Sequence, residues 1–451
     1  MNIVIVGDGK MGFALAQNLS KEGHDIMIVD SNPNALRNAS NLLDVGCIPG
    51  NGISSEVLME AGVNAADLLI AVTSKDEINI ICCLIARKLG ARHTIARVRD
   101  PQYAQNLSIL REDLGLSMQV NPELEAATEI SRIIRFPSAQ KVEFFARGKV
   151  EVVEIRLSGD SPLKGQALRN FKAKGMKVLI CAVQRGEEVV IPDGDFVLQA
   201  GDIISITASP KDITAFFKAT GLMLQRKIRS VMIVGGGRTS YYLTRLLLDA
   251  DIQVKIIEMN RDRCKELADA FPKAMIIYGD GSDRETLHEE NIDDTDAFAA
   301  LTGLDEENVV ISMYALMRKV GKVITKVNHI GFSEVLEKTG IDCVITPHLI
   351  STHQIVRYVR AMQNSLGSHV ESLTRMVNGQ VEALEFRVRD TFRGLNIPLR
   401  DVHLKKNLLI ASIIRNGRLI YPHGNDAIHA GDSVIVVTTI AGLEELNDIL
   451  A

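Results

Sequence analysis

Short runs of Val, Ile and Leu recur along the first 137 residues, and segments of helical period separate them. Strands are expected at residues 2–6, 26–30, Asp67–Val72 and Thr94–Val98, with helices at about 11–22, 33–43 and 76–89. Runs that are apolar throughout suit strands buried on both faces, and their alternation with helices marks βαβ units in a doubly wound parallel sheet. After Pro137 the pattern switches to period two, at Glu143–Phe145, Val150–Ile155, Val178–Val183 and Asp202–Thr207. Turns at Gly148 and Arg185-Gly186-Glu187 and a short helix around Leu168 complete a small α+β module, mostly antiparallel.

The whole pattern then repeats. Asn2-Ile3-Val4-Ile5-Val6-Gly7-Asp8-Gly9 returns 228 positions later as Ser230-Val231-Met232-Ile233-Val234-Gly235-Gly236-Gly237, and Asp30 falls on Glu258. Gly50-Asn51-Gly52 falls on Gly279-Asp280-Gly281, and Val72 to Asn79 on Leu301 to Asn308. Ile191-Pro192-Asp193-Gly194 with Ala200-Gly201-Asp202 falls on Tyr421-Pro422-His423-Gly424 with Ala430-Gly431-Asp432. An ordered series of landmarks drifting by two positions is a duplication. Four domains are therefore expected: 1–137 and 228–362 as parallel-sheet domains, 138–223 and 368–451 as small modules, with Leu224-Gln225-Arg226-Lys227 as the joint.

Composition narrows the reading. The 451 residues are 46 % hydrophobic and only 4 % aromatic, with no Trp, which favours aliphatic sheet packed by helices over a base-stacking surface. A formal charge of −5 lacks the cationic excess that displaces counterions from a phosphate backbone, so nucleic acid is not expected as a partner. No apolar stretch reaches the ~18 residues of a membrane span. The six cysteines form no CxxC pair and read as free thiols of a reducing cytoplasm.

Candidate chemistry sits at the first turn. Gly7-x-Gly9-x-x-Gly12 follows a strand and opens a helix: Gly7 permits the tight turn, Gly9 lets backbone approach a pyrophosphate, and Gly12 lets helix and strand close up. Asp30, ending the second strand, can accept from ribose hydroxyls. An acid there disfavours a 2'-phosphate, and ATP or ADP offers the same hydroxyls as NAD. Thr73 and Ser74 follow the fourth strand, able to cap the next helix or to touch ribose or phosphate. Arg97 lies in an apolar strand, where its charge needs an anion or carboxylate nearby. Glu123 reads as a first-turn carboxylate complementing a helix dipole. In the second repeat Ser240 replaces the third glycine, so the helix must stand further from its strand. Glu258 keeps the acceptor, and Lys326 replaces Arg97.

Signatures of catalysis do not accompany these loops: there is no Tyr-x-x-x-Lys, no His-Glu-x-x-His and no Walker P-loop. Two small duplicated modules leave no substrate-sized half, which favours a sensor over an enzyme. An NAD-dependent oxidoreductase acting on a small soluble substrate is the alternative. A DNA-binding redox sensor would need a basic element that the chain does not carry.

Val6-Gly7-Asp8-Gly9-Lys10-Met11-Gly12, Asp30, Gly50-Asn51-Gly52, Val72 to Asn79, Ile95-Ala96-Arg97-Val98-Arg99 and the Ala-Gly-Asp of the small modules resemble the TrkA family. These are regulators of bacterial Trk potassium uptake, built of tandem RCK units with a nucleotide-binding KTN half and a TrkA-C half. The resemblance covers the whole chain. It implies a peripheral protein on the cytoplasmic face of the inner membrane. Such a protein forms a ring, a homotetramer, beneath a TrkH/TrkG-like potassium-conducting subunit and responds to NAD or NADH, or to ATP or ADP. It carries nucleotide contacts onto Gly7, Asp8, Gly9, Lys10, Met11, Gly12, Asp30, Asn51, Thr73, Ser74 and Arg97, and onto Gly235, Gly236, Gly237, Arg238, Thr239 and Glu258. It implies no catalytic residue and no metal.

Overall fold

The structure is a computed structural model that describes residues 1–103, 115–135, 141–145, 150–170, 177–220, 228–328, 341, 343–365, 370–377, 380–440, 442–443 and 445–451. The expected turn at Gly148 and the joint at 224–227 lie outside these residues, as do the ends of the first two expected domains.

Six strands form the first sheet: β1 (Asn2–Val6), β2 (Asp25–Asp30), β3 (Gly46–Pro49), β4 (Leu68–Ala71), β5 (His93–Arg97) and β6 (Met118–Val120). Their order is β3-β2-β1-β4-β5-β6 and the pairing is parallel throughout. Strands β3 and β6 escape the sequence pattern because they are short edge strands, half-buried in most positions. The associated helices are α1 (Lys10–Lys21), α2 (Pro33–Leu42), α3 (Ser55–Glu60), α4 (Asp76–Leu89) and α5 (Pro122–Arg135). The direction of chain progression reverses between β1 and β4, and ligands of such sheets bind in that crevice, at the carboxyl ends of the strands.

Next comes a five-stranded sheet of β7 (Lys141–Phe145), β8 (Val150–Arg156), β9 (Leu179–Arg185), β10 (Glu188–Val190) and β11 (Ile203–Ala208), ordered β10-β9-β11-β8-β7 and antiparallel, followed by α6 (Pro210–Thr220). Leu168 itself lies in a turn, and Ala167 bridges Val197.

The second repeat rebuilds both sheets. Strands β12 (Ser230–Val234), β13 (Gln253–Glu258), β14 (Met275–Tyr278), β15 (Ala297–Ala300), β16 (Lys322–Lys326) and β17 (Val344–Ile345) take the order β14-β13-β12-β15-β16-β17. They carry α7 (Arg238–Leu248), α8 (Arg261–Ala270), α9 (Arg284–Glu289), α10 (Asp305–Met317) and α11 (Pro347–Ser365). The last sheet holds β18 (Val370–Met376), β19 (Val381–Arg387), β20 (Leu408–Arg415), β21 (Arg418–Ile420) and β22 (Ser433–Thr438), ordered β18-β19-β22-β20-β21.

Like subdomains group with like. One compact unit holds Met1–Ser131 with Ser230–Val356, and the other Arg132–Arg229 with Arg357–Ala451. In the first unit the repeats are joined by Tyr242, whose hydroxyl accepts from Asn121 Nδ2 and donates to the Arg99 carbonyl, both at 2.9 Å. In the second unit Val152 and Ala182 share one apolar core with Ala383, Ala411 and Val437. There Tyr421 donates to Asp212 Oδ2 at 2.6 Å. The Ala-Gly-Asp landmark is structural: Asp202 and Asp432, both buried, each take a forked hydrogen-bond pair from an arginine of the neighbouring strand, Arg185 and Arg415. All six cysteines are free. Among the described residues no helix is long and apolar enough to cross a membrane.

Candidate nucleotide-binding sites

Both glycine loops emerge from fully apolar strand ends at the switch point of their sheet. Gly7 turns with φ +104°, a conformation that favours glycine, and a Cβ on Gly12 would stand 1.8 Å from the Gly7 carbonyl oxygen, so α1 is drawn hard against the loop. In the second loop Ser240 donates its hydroxyl to the matching Gly235 carbonyl. A side chain at the third glycine position is thus accommodated by a hydrogen bond to the loop.

What the helix ends leave open is informative. Helices α2, α3, α8 and α9 each have an N-terminal amide bonded by a side chain, from Asn32, Ser54, Asn260 and Asp283 respectively. Helices α1, α4, α7 and α10, which begin beside the two switch points, have no side-chain cap. In α1 and α7, whose first turns also carry no acid, this keeps free N–H donors at the positive end of the helix dipole, which suits an anion such as phosphate, whereas α4 and α10 open on Asp76-Glu77 and Asp305-Glu306-Glu307, which already complement their dipoles. Gly9 and Gly237, the residues before α1 and α7, are exposed and have open space on their Cβ side, as a loop that receives a pyrophosphate needs.

The acids clamp the loops. Asp30 Oδ2 accepts from the Asp8 amide at 2.6 Å and Oδ1 from the Asn32 amide at 2.7 Å. Glu258 accepts from the Gly236 and Asn260 amides at 2.6 and 2.7 Å. Each carboxylate oxygen retains a lone pair for a ribose hydroxyl.

Opposite the loops, the expected residues fall in place unevenly. Thr73 does not cap α4, whose N-cap residue is Lys75. The Thr73 hydroxyl donates instead to Asn79 Oδ1 at 2.7 Å. Ser74 and Lys10 are exposed at the mouth, as is Arg238. The Met11 and Thr239 side chains are buried and leave only backbone for a ligand. Asn51 Oδ1 accepts from the Ile53 amide, a turn leading into α3. Arg97 ends β5, donates to the Thr73 carbonyl, and leaves Nε without a partner. Burial, with Arg99 adding to it, pulls its guanidinium down to about 10, against the pull of Glu123 and Asp76. Burial likewise lowers Lys326, against Asp305 and Glu123. Glu123, expected only to complement a helix dipole, thus acts on the cations of both sites.

Residues missed by motif reasoning hold this side together. Asn79 accepts from the Thr73 amide and donates to the Thr73 and Arg97 carbonyls, tying the end of β4 to the end of β5. Asn308 does the same for Thr302 and Lys326. Their retention at equivalent places in both repeats was the available signal. Among the described residues no group of three or more His, Cys, Asp or Glu could hold a metal ion.

The chain matches the TrkA-N domain family at residues 3–122 and 231–347 and the TrkA-C domain family at 152–221 and 384–451. It is 31 % identical, over 99 % of both chains, to Trk system potassium uptake protein TrkA homolog 1 of Methanosarcina mazei. It is 32 % identical to Trk system potassium uptake protein TrkA of Halomonas elongata, over 97 % of this chain and 95 % of that one. Among solved structures, the GsuK channel bound to NAD shares the fold, with a TM-score of 0.65 and 16 % identity over 97 % of this chain and 76 % of that chain.

Proposed function

The chain belongs to the TrkA family of tandem TrkA-N and TrkA-C proteins, and from that premise we propose that it is the nucleotide-binding regulatory subunit of a potassium uptake system. The observation that carries the reading is the pair of acid-clamped glycine loops whose helices begin with uncapped amides. NAD or NADH fits both loops, with its pyrophosphate on the α1 or α7 amides and an adenosine ribose on Asp30 or Glu258. ADP and ATP share that half of the molecule.

The contacts proposed for the first site are Gly7 to Gly12, Asp30, Asn51, Thr73, Ser74 and Arg97, and for the second Gly235 to Thr239 and Glu258. The nucleotide acts by linkage: a ligand held better by one conformation shifts the population toward it by no more than its differential affinity. Glu123, acting on Arg97 and Lys326, gives the sites a shared charge through which one occupant is felt at the other. Several copies close into a ring, a homotetramer, on the cytoplasmic face of a TrkH/TrkG-like membrane subunit. The domain limits 1–137, 138–223, 228–362 and 368–451 go with this reading, and no turnover of nucleotide or substrate does.

Calorimetric titration with NAD, NADH, ADP and ATP, paired with potassium flux in vesicles carrying the membrane subunit, tests it. Binding that alters flux is expected, and Asp30→Ala weakens the first site at least tenfold. Failure of every nucleotide to bind, or binding without effect on flux, overturns the reading; sustained NADH oxidation with a small soluble substrate would favour an oxidoreductase.

A further inference from the structure

Of the buried positions at which the two loops differ, one carries an ionisable side chain in the first loop and none in the second. Asp8, the second residue of the first loop, is only 8 % exposed, and its Oδ1 has no hydrogen-bond partner. Its own amide is spent on Asp30 Oδ2, which brings the second carboxylate against it. The equivalent residue is Gly236. A Cβ there would lie 2.7 Å from Leu267 Cδ1 and 2.9 Å from Glu258 Oε2. The residue equivalent to Leu267 is Ala39, so α2 has given up the side chain that fills this space in the second repeat. The exchange of Gly and Leu for Asp and Ala builds room for an acid that the clamp does not need.

We propose that, in the nucleotide-bound first site, Asp8 and Asp30 together hold one proton, so that binding there draws a proton from solution while binding at the second site does not. The inference rests on the nucleotide reading above. The proton forms an O–H bond on the free Asp8 oxygen, and buffer or hydronium supplies it. A buried carboxylate with an unpartnered oxygen, next to a second carboxylate held by its own backbone amide, does not stay ionised at low cost. In the free protein burial, with Asp30 adding to it, already lifts the Asp8 carboxyl from 3.8 to about 6. The groups facing it offer no relief. From β3 comes Cys47, whose thiol is pushed up by burial and by Asp8 itself and stays neutral, and no base of α1 or α2 is among the charges acting on Asp8. A nucleotide covers the loop and brings phosphate charge to the α1 amides. Both effects disfavour the Asp8 anion, so both raise proton affinity in the same direction.

The test uses the full chain and NAD, whose pyrophosphate diester has no group titrating near neutrality. Titrations at pH 6.5 in buffers of different ionisation enthalpy should show uptake of about half a proton per first site. For a rise of about one unit on binding, Kd should be about fivefold tighter at pH 6 than at pH 8. Asp8→Asn abolishes the uptake and flattens the pH profile, whatever it does to affinity. A protonated-carboxyl infrared band that appears on adding NAD to the natural protein should be missing in that variant. Binding with equal heats in all buffers overturns the shared proton and leaves the nucleotide reading standing, and so does uptake that persists in Asp8→Asn. No binding of NAD, ADP or ATP at either loop overturns both.

Discussion

The first and second glycine loops share one backbone plan and reach it with different side chains. In the first, contact between helix and loop is bare: Gly12 lies where any Cβ would collide with the Gly7 carbonyl. In the second, Ser240 replaces that contact with a hydrogen bond to Gly235. The first loop buries an extra acid, Asp8, whereas the second has Gly236 beneath Leu267. Arg263 of α8 donates to the Gly236 carbonyl at 2.7 Å, where the first repeat has Ala35. What survives in both is the clamp of acid on amide and the Asn tie between the fourth and fifth strands. The shared geometry is therefore the part that the fold and the proposed nucleotide both need, and the differences set how tightly each loop is packed and how it is charged.

The comparison breaks most visibly at the third glycine. Gly12→Ala should cost about 3 kcal/mol or more and remove first-site binding, because backbone on both sides of the collision leaves little to move. Ser240→Gly should stay within about 1 kcal/mol, since the space already exists and one hydrogen bond is lost. Thermal unfolding and NAD titration of the two variants check the pair; equal losses would show that both helices sit at the same distance.

The Asn tie should fail almost equally in the two repeats. Asn79→Ala strands the Thr73 amide and two carbonyls and should cost about 2–3 kcal/mol in urea unfolding. Asn308→Ala should cost slightly less, because Thr302 directs its hydroxyl to the Leu304 carbonyl and not to the Asn.

Asp8 is the next step down in size. Its folded carboxyl lies at about 6 against 3.8, so the folded chain binds this proton more tightly than the unfolded chain. The associated stability is whole below about pH 4 and is lost as pH rises through 6. Asp8→Asn removes the penalty and should raise stability by about 2 kcal/mol at pH 7.5, with the gain gone near pH 4. No such pH-dependent gain is open at Gly236. Unfolding midpoints across that range decide it, and a gain that does not change with pH would place the effect in packing.

The duplication, the parallel sheets, the glycine loops and the clamping acids were legible because each leaves a local mark: a repeated string, an apolar run, a glycine after a strand. Of the two roles open to Thr73 in the sequence, capping α4 is not the one it takes, because its hydroxyl is claimed by Asn79, six residues on, and a spacing rule sees only the nearest helix. Asn79 stands in the repeated motif without a visible role, since a buried side-chain amide looks like any helix residue until the strand ends around it are known. Tyr242 joins the repeats through Asn121, 121 residues away, and the equivalent residue is Ala14, so nothing in the repeat itself marks it. The Ala-Gly-Asp landmark was legible as a repeat, while its role depended on an arginine from the next strand.

The finest difference is Arg263. Its Nε–H bond to the Gly236 carbonyl and its 2.7 Å pair with Glu266 place a guanidinium beside the second loop, with the Tyr241 ring 6.0 Å away. The group is half-exposed, so its pair with Glu266 contributes little to folding. Arg263→Ala should lower stability by less than about 1 kcal/mol. Its charge should still help an anion settle, because the carbonyl it holds belongs to the loop proposed to receive the phosphates. Second-site affinity for NAD should therefore fall about two- to fivefold, less so at high salt, which screens the attraction. First-site affinity should not move, since Ala35 provides nothing to lose. Equal weakening at both sites would mean that the arginine acts through the coupling between them and not through its own loop.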